Sequence, residues 1–266
     1  FEKFHSETNF IIDRAAESLG NQYAMHWPYK QQKTSRNIKT FPYHDLLKKE
    51  GACFGQVAGF ESPLWYAIDG EKPEFKYSFG YQNWYKSAQN ETINTRKNVG
   101  FFELTPFAKF EIEGEAAYSS LQYLCSNDIK NNDGAITYTQ MLNSKGGIEA
   151  DLSVTCISKN KFRIITGSGV REHDKKHILR YLDQDVKFTD ITDSYSCFGI
   201  FGPKSRSLLT QMVGNEFENN KFPFGTGKFL KINNIDIWFQ RLSYVGELGW
   251  ELYIPIKESK KIYEII

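Results

Sequence analysis

The segment Asn143-Ser-Lys-Gly-Gly-Ile-Glu-Ala-Asp-Leu-Ser-Val154 constrains this chain most. Residues 136–142 lead into it and residues 152–157 lead out of it, both in strand-like runs. Alternation at period two marks a half-buried strand. The adjacent glycines supply backbone freedom at φ > 0, so the chain can double back sharply. The pattern predicts an antiparallel hairpin with Asp151 in the first positions of its second strand. Paired glycines also let another molecule approach the backbone closely. A carboxylate beside such an opening suits a general base or a stabiliser of positive charge. A plain surface turn with a solvated Asp carries the same signature, and the residues alone leave both readings open.

Helices are predicted over residues 6–20, 43–50, 90–98, 115–125, 172–182 and 204–213, with Gly20, Gly51 and Gly100 as stops. Residues 107–114 alternate as a strand, with Phe110 and Ile112 on one face and Glu111 and Glu113 on the other. Further strands are expected at 161–166, 195–201 and 250–254, with Ile232-Asn-Asn-Ile235 as a turn between two more. Residues 21–43 read as an ordered linker rich in Pro and aromatics, and 71–90 as a polar, aromatic excursion. The run Gly51–Phe60 reads as a glycine-rich loop. It lacks the GK[ST] of a P-loop and the GxGxxG spacing, so a phosphate cradle is rejected. This order predicts an α+β fold of antiparallel sheets packed by helices, with a ferredoxin-like portion.

A chain of 266 residues makes one large domain or two smaller ones. Its net charge of +1 and interleaved charges give no field for a polyanion, so nucleic acid is not an expected partner. Cys53, Cys125, Cys156 and Cys197 form neither a CxxC pair nor a zinc spacing, so no metal is expected and a reducing compartment is. Cys156 falls on the apolar beat of a strand and reads as a buried thiol. No stretch has membrane-helix length, and no leader is visible. The chain begins at Phe1 and closes on Lys260–Ile266, a helix in progress, so both ends read as the interior of a longer protein.

A second candidate site is Arg241-Leu-Ser-Tyr-Val-Gly-Glu-Leu-Gly-Trp-Glu251. Tyr244, Glu247 and Glu251 surround two glycines. A Glu there can accept two hydrogen bonds from a ligand that carries an amino group beside a ring N–H. A tight turn into an edge strand fits equally. Tyr138 can stack on a flat ring or fill the core.

Several segments, in chain order, resemble the folate-binding aminomethyltransferase family. That family includes the glycine-cleavage T-protein and the C-terminal halves of dimethylglycine and sarcosine dehydrogenases. The segments include Pro42–Leu47, Gly59-Phe-Glu-Ser-Pro-Leu-Trp65, Asn98–Phe110, Gly146–Val154, Gly202-Pro-Lys-Ser-Arg206 and Tyr244–Leu252. Tyr23-Ala-Met-His-Trp-Pro28 and Ser35–Asp45 look like the junction that follows the flavin domain in the two dehydrogenases. The resemblance implies that residues 1–40 are the tail of a flavin-oxidoreductase middle region and its linker. It makes 41–266 a T-protein-like folate-binding domain, with the C-terminal barrel of that fold absent.

The resemblance further implies capture of an iminium carbon on tetrahydrofolate, giving 5,10-methylenetetrahydrofolate. The iminium would come from an N-methylglycine oxidised by FAD in an N-terminal domain. Asp151 matches the family's catalytic Asp. Tyr138 and Tyr244 match aromatics that line the folate pocket, and Glu251 matches the Glu that binds the pterin. Partners are then the folate, an N-methylated amine and the FAD domain of the same chain, with no membrane. Where relatives show two consecutive acids, this chain has Ala150-Asp151. Ser62 stands where many relatives carry an Arg, which points to a weakened local ion pair. A T-protein-type aminomethyltransferase or related demethylase, and a non-catalytic regulatory relative, are the alternatives. The Lys/Asn/Ile-rich composition points to a bacterial cytoplasm, with the mitochondrial matrix the expectation for a eukaryotic source.

Overall fold

The computed structural model describes residues 7–68 and 70–266. They form two units, one running to Ile93 and the other from Asn94 to Ile266.

The first unit holds helices α1 (Thr8–Gly20) and α2 (His44–Lys49), and a hairpin of β1 (Ala52–Val57) and β2 (Phe60–Tyr66). Ser6, where the first helix was expected to begin, lies outside the described residues. The run read as a glycine-rich loop is in fact strand β1, which corrects that expectation. β-prone Cys53, Phe54 and Val57 outweigh the glycines. Gly55 is required by space, because a Cβ there would lie 2.3 Å from Leu64 Cδ1. The turn at Ala58 and Gly59 takes positive φ at both residues, as a two-residue hairpin turn needs. Glu61 of β2 is fully buried and paired with Arg36 at 2.5 Å. This pair ties β2 to the preceding linker. Trp27, Phe75, Tyr77 and Trp84 stack and abut through ring centroids 5.1 to 6.0 Å apart, so the linker and the aromatic excursion fold on each other.

Helix α3 (Tyr85–Lys97) spans the boundary between the units and begins five residues before the predicted start. The second unit follows with β3 (Gly100–Glu103), β4 (Ala108–Glu113), α4 (Ala117–Leu124), β5 (Ile136–Leu142), β6 (Ile148–Ser158) and β7 (Lys161–Thr166). It continues with α5 (Arg171–Tyr181), β8 (Lys187–Asp190), β9 (Tyr195–Phe201) and α6 (Ser205–Val213). It ends with β10 (Thr226–Ile232), β11 (Ile235–Arg241), β12 (Gly249–Pro255) and α7 (Ser259–Ile265). Two five-stranded antiparallel sheets result, ordered β5-β6-β7-β4-β8 and β10-β11-β12-β9-β3. Within the first, β4-α4-β6-β7-α5-β8 is the ferredoxin-like portion, with β5 added at the edge. The second sheet repeats the same order of strands, with β3 taking the edge that β8 takes in the first.

Alternation then assigns the faces. On the first sheet, Phe110, Ile112, Leu152, Val154, Cys156, Phe162 and Ile164 form one core with α4 and α5. Lys109, Glu111, Ser153, Thr155 and Arg163 turn to the other face. On the second sheet, Tyr195, Cys197, Gly199, Trp238, Gln240, Glu251 and Tyr253 share one face. These two faces oppose each other. Ile165 joins Cys197, Trp238 and Tyr253 in one apolar cluster, and Thr155 Oγ1 donates to Gln240 Oε1 at 3.0 Å. The layer between the sheets is thus mixed, with polar groups among the aromatics.

Among the described residues no helix is long and apolar enough to cross a membrane. All four cysteines are buried and unbridged.

Candidate functional site

The Gly-Gly hairpin forms as the sequence predicts. Gly146 takes φ +79°, and a Cβ on Gly147 would sit 2.9 Å from Asn143 Nδ2. Asn143 knits the turn, accepting from the backbone N–H groups of Lys145 and Gly147. It also donates to Glu149 Oε1 at 2.8 Å.

Asp151 is exposed, opposite Gln140 in the β5–β6 register, and Gln140 Nε2 donates to its Oδ1 at 3.0 Å. Tyr138 lies on the same face, diagonal to Asp151, and is 57% exposed. It is therefore not a core residue. Its hydrogen bond with the Asp151 carboxylate, then desolvation, push the phenol above its usual range, and the nearby Tyr244 adds to the shift. Tyr244 itself is fully exposed, in the connection between β11 and β12. Glu247 of the same connection pairs with Arg96 of α3.

Glu251 is half-buried on β12, opposite Gln240 on one side and Gly199 on the other. The Tyr253 hydroxyl donates to its Oε2 at 2.7 Å, and Gln240 Nε2 lies 3.4 Å from the same oxygen. Those bonds leave Oε1 for another donor. Burial raises the carboxyl above its usual value, opposed by the bonds from Tyr253 and Gln240 and by the charge of Lys109. Lys109 is itself buried between the sheets, where its Nζ donates to the carbonyls of Thr105 and Phe107. Desolvation pulls its pKa down to about 8.

The geometry therefore brings Asp151, Tyr138 and Tyr244 to the rim of the inter-sheet layer and sets Glu251 partway into it. From Asp151 to Thr155, at the depth of Gln240, is about 13 Å along β6. Sequence reasoning missed Gln140, Gln240, Tyr253 and Lys109. Register pairing exposes the first two, but strand partners cannot be read from a single sequence. Among the described residues no group of three His, Cys, Asp or Glu side chains is placed to hold a metal ion.

The chain matches the GCVT N-terminal domain over residues 43–266. It belongs to that family. Residues 1–40 match the FAD dependent oxidoreductase central domain. The 4-methylaminobutanoate oxidase (formaldehyde-forming) of Paenarthrobacter nicotinovorans is 34% identical over 95% of this chain and 31% of its own length. Mitochondrial dimethylglycine dehydrogenase of Rattus norvegicus is 31% identical over 97% of the chain and 30% of its own length. The chain spans about a third of the length of these curated relatives. Glycine cleavage system aminomethyltransferase T from Bartonella henselae superposes with a TM-score of 0.70 at 23% identity, covering 86% of this chain and 56% of that one. The GCVT domain thus has the T-protein-like fold, with no closed barrel among the described residues. It is an aminomethyltransferase-type domain related to N-methylglycine dehydrogenases.

Proposed function

We propose that this GCVT domain binds tetrahydrofolate between its two sheets and serves the one-carbon-transfer half of an FAD-dependent N-methylglycine dehydrogenase. The observation that carries the reading is the pairing of a rim carboxylate, Asp151, with a half-buried acceptor, Glu251, on facing sheets of one unit. A reduced pterin presents an amino group beside a ring N–H, and the oxygen that Glu251 leaves open accepts such donors. When bound, tetrahydrofolate would supply the nucleophilic nitrogens that hold the carbon as 5,10-methylenetetrahydrofolate. Tyr138 and Tyr244 would give the ring a face to pack on. Asp151 would take a proton from a reacting amine or stabilise positive charge at the rim. FAD chemistry would belong to another part of the protein, since only forty residues here match the flavin oxidoreductase.

The deciding experiment is Asp151→Ala in the intact protein. The expected result is loss of methylenetetrahydrofolate formation with substrate-driven flavin reduction intact. One relative is named for forming formaldehyde, so formaldehyde release is measured alongside and should rise in the variant. Equal loss of flavin reduction in a folded variant would remove Asp151 from the folate half.

A further inference from the structure

Arg163 is a buried cation that the site described above does not account for. Its side chain is 2% exposed in the layer between the sheets. One nitrogen, Nη2, donates to Glu111 Oε1 at 2.7 Å. Among the described residues Nε and Nη1 meet no hydrogen-bond acceptor. Their surroundings are aromatic: the guanidinium carbon lies 5.0 Å from the ring centroid of Tyr195, 6.0 Å from Trp238 and 5.7 Å from Tyr253. A desolvated guanidinium is held by such ring faces, and it holds them in turn.

Two of those rings lead to Glu251. The Tyr253 hydroxyl is the 2.7 Å donor to Glu251 Oε2. A cation over the ring draws electron density from the phenol and makes its O–H a better donor. Trp238 Nε1 donates to Gln240 Oε1 at 3.1 Å, and Thr155, opposite Arg163 in the β6–β7 register, donates to the same oxygen. With its oxygen taken twice, the Gln240 amide can only present its NH₂ to Glu251. Both donors to the carboxylate therefore depend on rings seated against one guanidinium.

We propose that Arg163 is a positioning residue for Glu251: it seats Tyr253 and Trp238 so that their donor network aims the carboxylate and favours its charged form. The inference rests on the reading of Glu251 as the pterin acceptor, and it assigns a role to a side chain that touches no ligand.

The test is calorimetric titration of the intact protein with 5-formyltetrahydrofolate, an air-stable reduced folate, across the acid range in which Glu251 titrates. The other titratable groups beside it are Lys109, lowered to about 8, and Cys197 and Tyr253, both raised, and none of them changes charge there. Wild-type binding should weaken as pH falls, and E251Q should bind weakly with no such dependence. R163M should move the midpoint upward by about one pH unit, so binding is about tenfold weaker on the acid side and nearly unchanged on the alkaline side. Uniform weakening at every pH with an unmoved midpoint would mean a purely structural role and overturn the proposal. An E251Q titration identical to wild type would instead sink the acceptor reading, and the role of Arg163 with it. If R163M does not fold, R163K keeps the charge without the planar contact and should give a smaller shift in the same direction. In a Y253F background that shift should shrink, because its path is gone; fully additive shifts would refute the link.

Discussion

Gln240 and Glu251 face each other across the β11–β12 ladder, and the Gln240 amide also reaches back to Thr155 on the opposing sheet. One side chain thus ties the proposed ligand acceptor to the contact that joins the sheets. Gln240→Leu keeps much of the volume but leaves the Thr155 hydroxyl and the Trp238 indole N–H without their acceptor. Both groups are buried. Each such loss costs about 1–3 kcal/mol, so the variant should be less stable by about 2–4 kcal/mol in urea unfolding followed at the tryptophans. A change below about 0.5 kcal/mol would show that the two donors find other partners.

Removing the acceptor itself separates binding from folding. Glu251→Ala should weaken tetrahydrofolate binding by about 2–4 kcal/mol, because pterin donors would enter the layer unpaired. The carboxylate is already costly to bury, as its raised pKa shows. The same substitution leaves the buried Tyr253 hydroxyl without its acceptor, which offsets the relief of the buried carboxylate, so stability should change less than affinity. Unchanged affinity, measured anaerobically by calorimetry, would place the pterin elsewhere.

Gly199 tests whether space beside Glu251 is fixed. It is the β9 partner of Glu251, and a Cβ there would meet Phe201 Cε2 at 2.4 Å and Leu104 Cδ1 at 2.9 Å. Gly199→Ala should destabilise by about 1–3 kcal/mol through overpacking. It should also weaken folate binding, because relief of the clash displaces the strand that borders the acceptor. Wild-type affinity in a destabilised variant would show that the strain is absorbed on the Phe201 side.

Much of this was legible in the residues. Strands β7 and β9 fall on their predicted spans because their ends are marked by turns, and β4 falls within a residue at each end. Asp151-Leu-Ser-Val-Thr-Cys156 alternates so cleanly that its two faces can be read in advance. Strands β3 and β8 escaped prediction. Each is four residues long, too short for a period to register. Arg163 escaped for another reason. Lys161-Phe-Arg-Ile-Ile-Thr166 looks like a strand with one wet face. Only the second sheet, whose strands β9 to β12 follow about thirty to ninety positions later, turns that face into an interior. Glu251 is singled out by resemblance, while Gln240, its nearest support on the neighbouring strand, matches no motif.

His173 gives the hairpin a pH-dependent brace. Its Nδ1 lies 2.9 Å from Asp174 Oδ1 and its Nε2 lies 3.2 Å from Glu149 Oε2, so α5 grips the base of the turn that precedes Asp151. The bond with Asp174, ahead of the other contributions, raises the imidazole above its usual 6.5, while Glu149 is lowered by Asn143 and by His173. A histidine raised in the folded state stabilises fully below its unfolded value, and the contribution is lost as pH rises through the folded value. The Glu149 contribution runs the other way and fades only as pH falls through its lowered value. His173→Asn should therefore lower Tm most at about pH 6, and the gap to wild type should close on the alkaline side. His173 is 54% exposed, so solvent and salt screen the pair and the gap should also narrow in high salt. Melting curves from acid to alkaline pH, with and without salt, check both dependences. A constant gap across pH would assign the loss to packing of the ring instead of its charge.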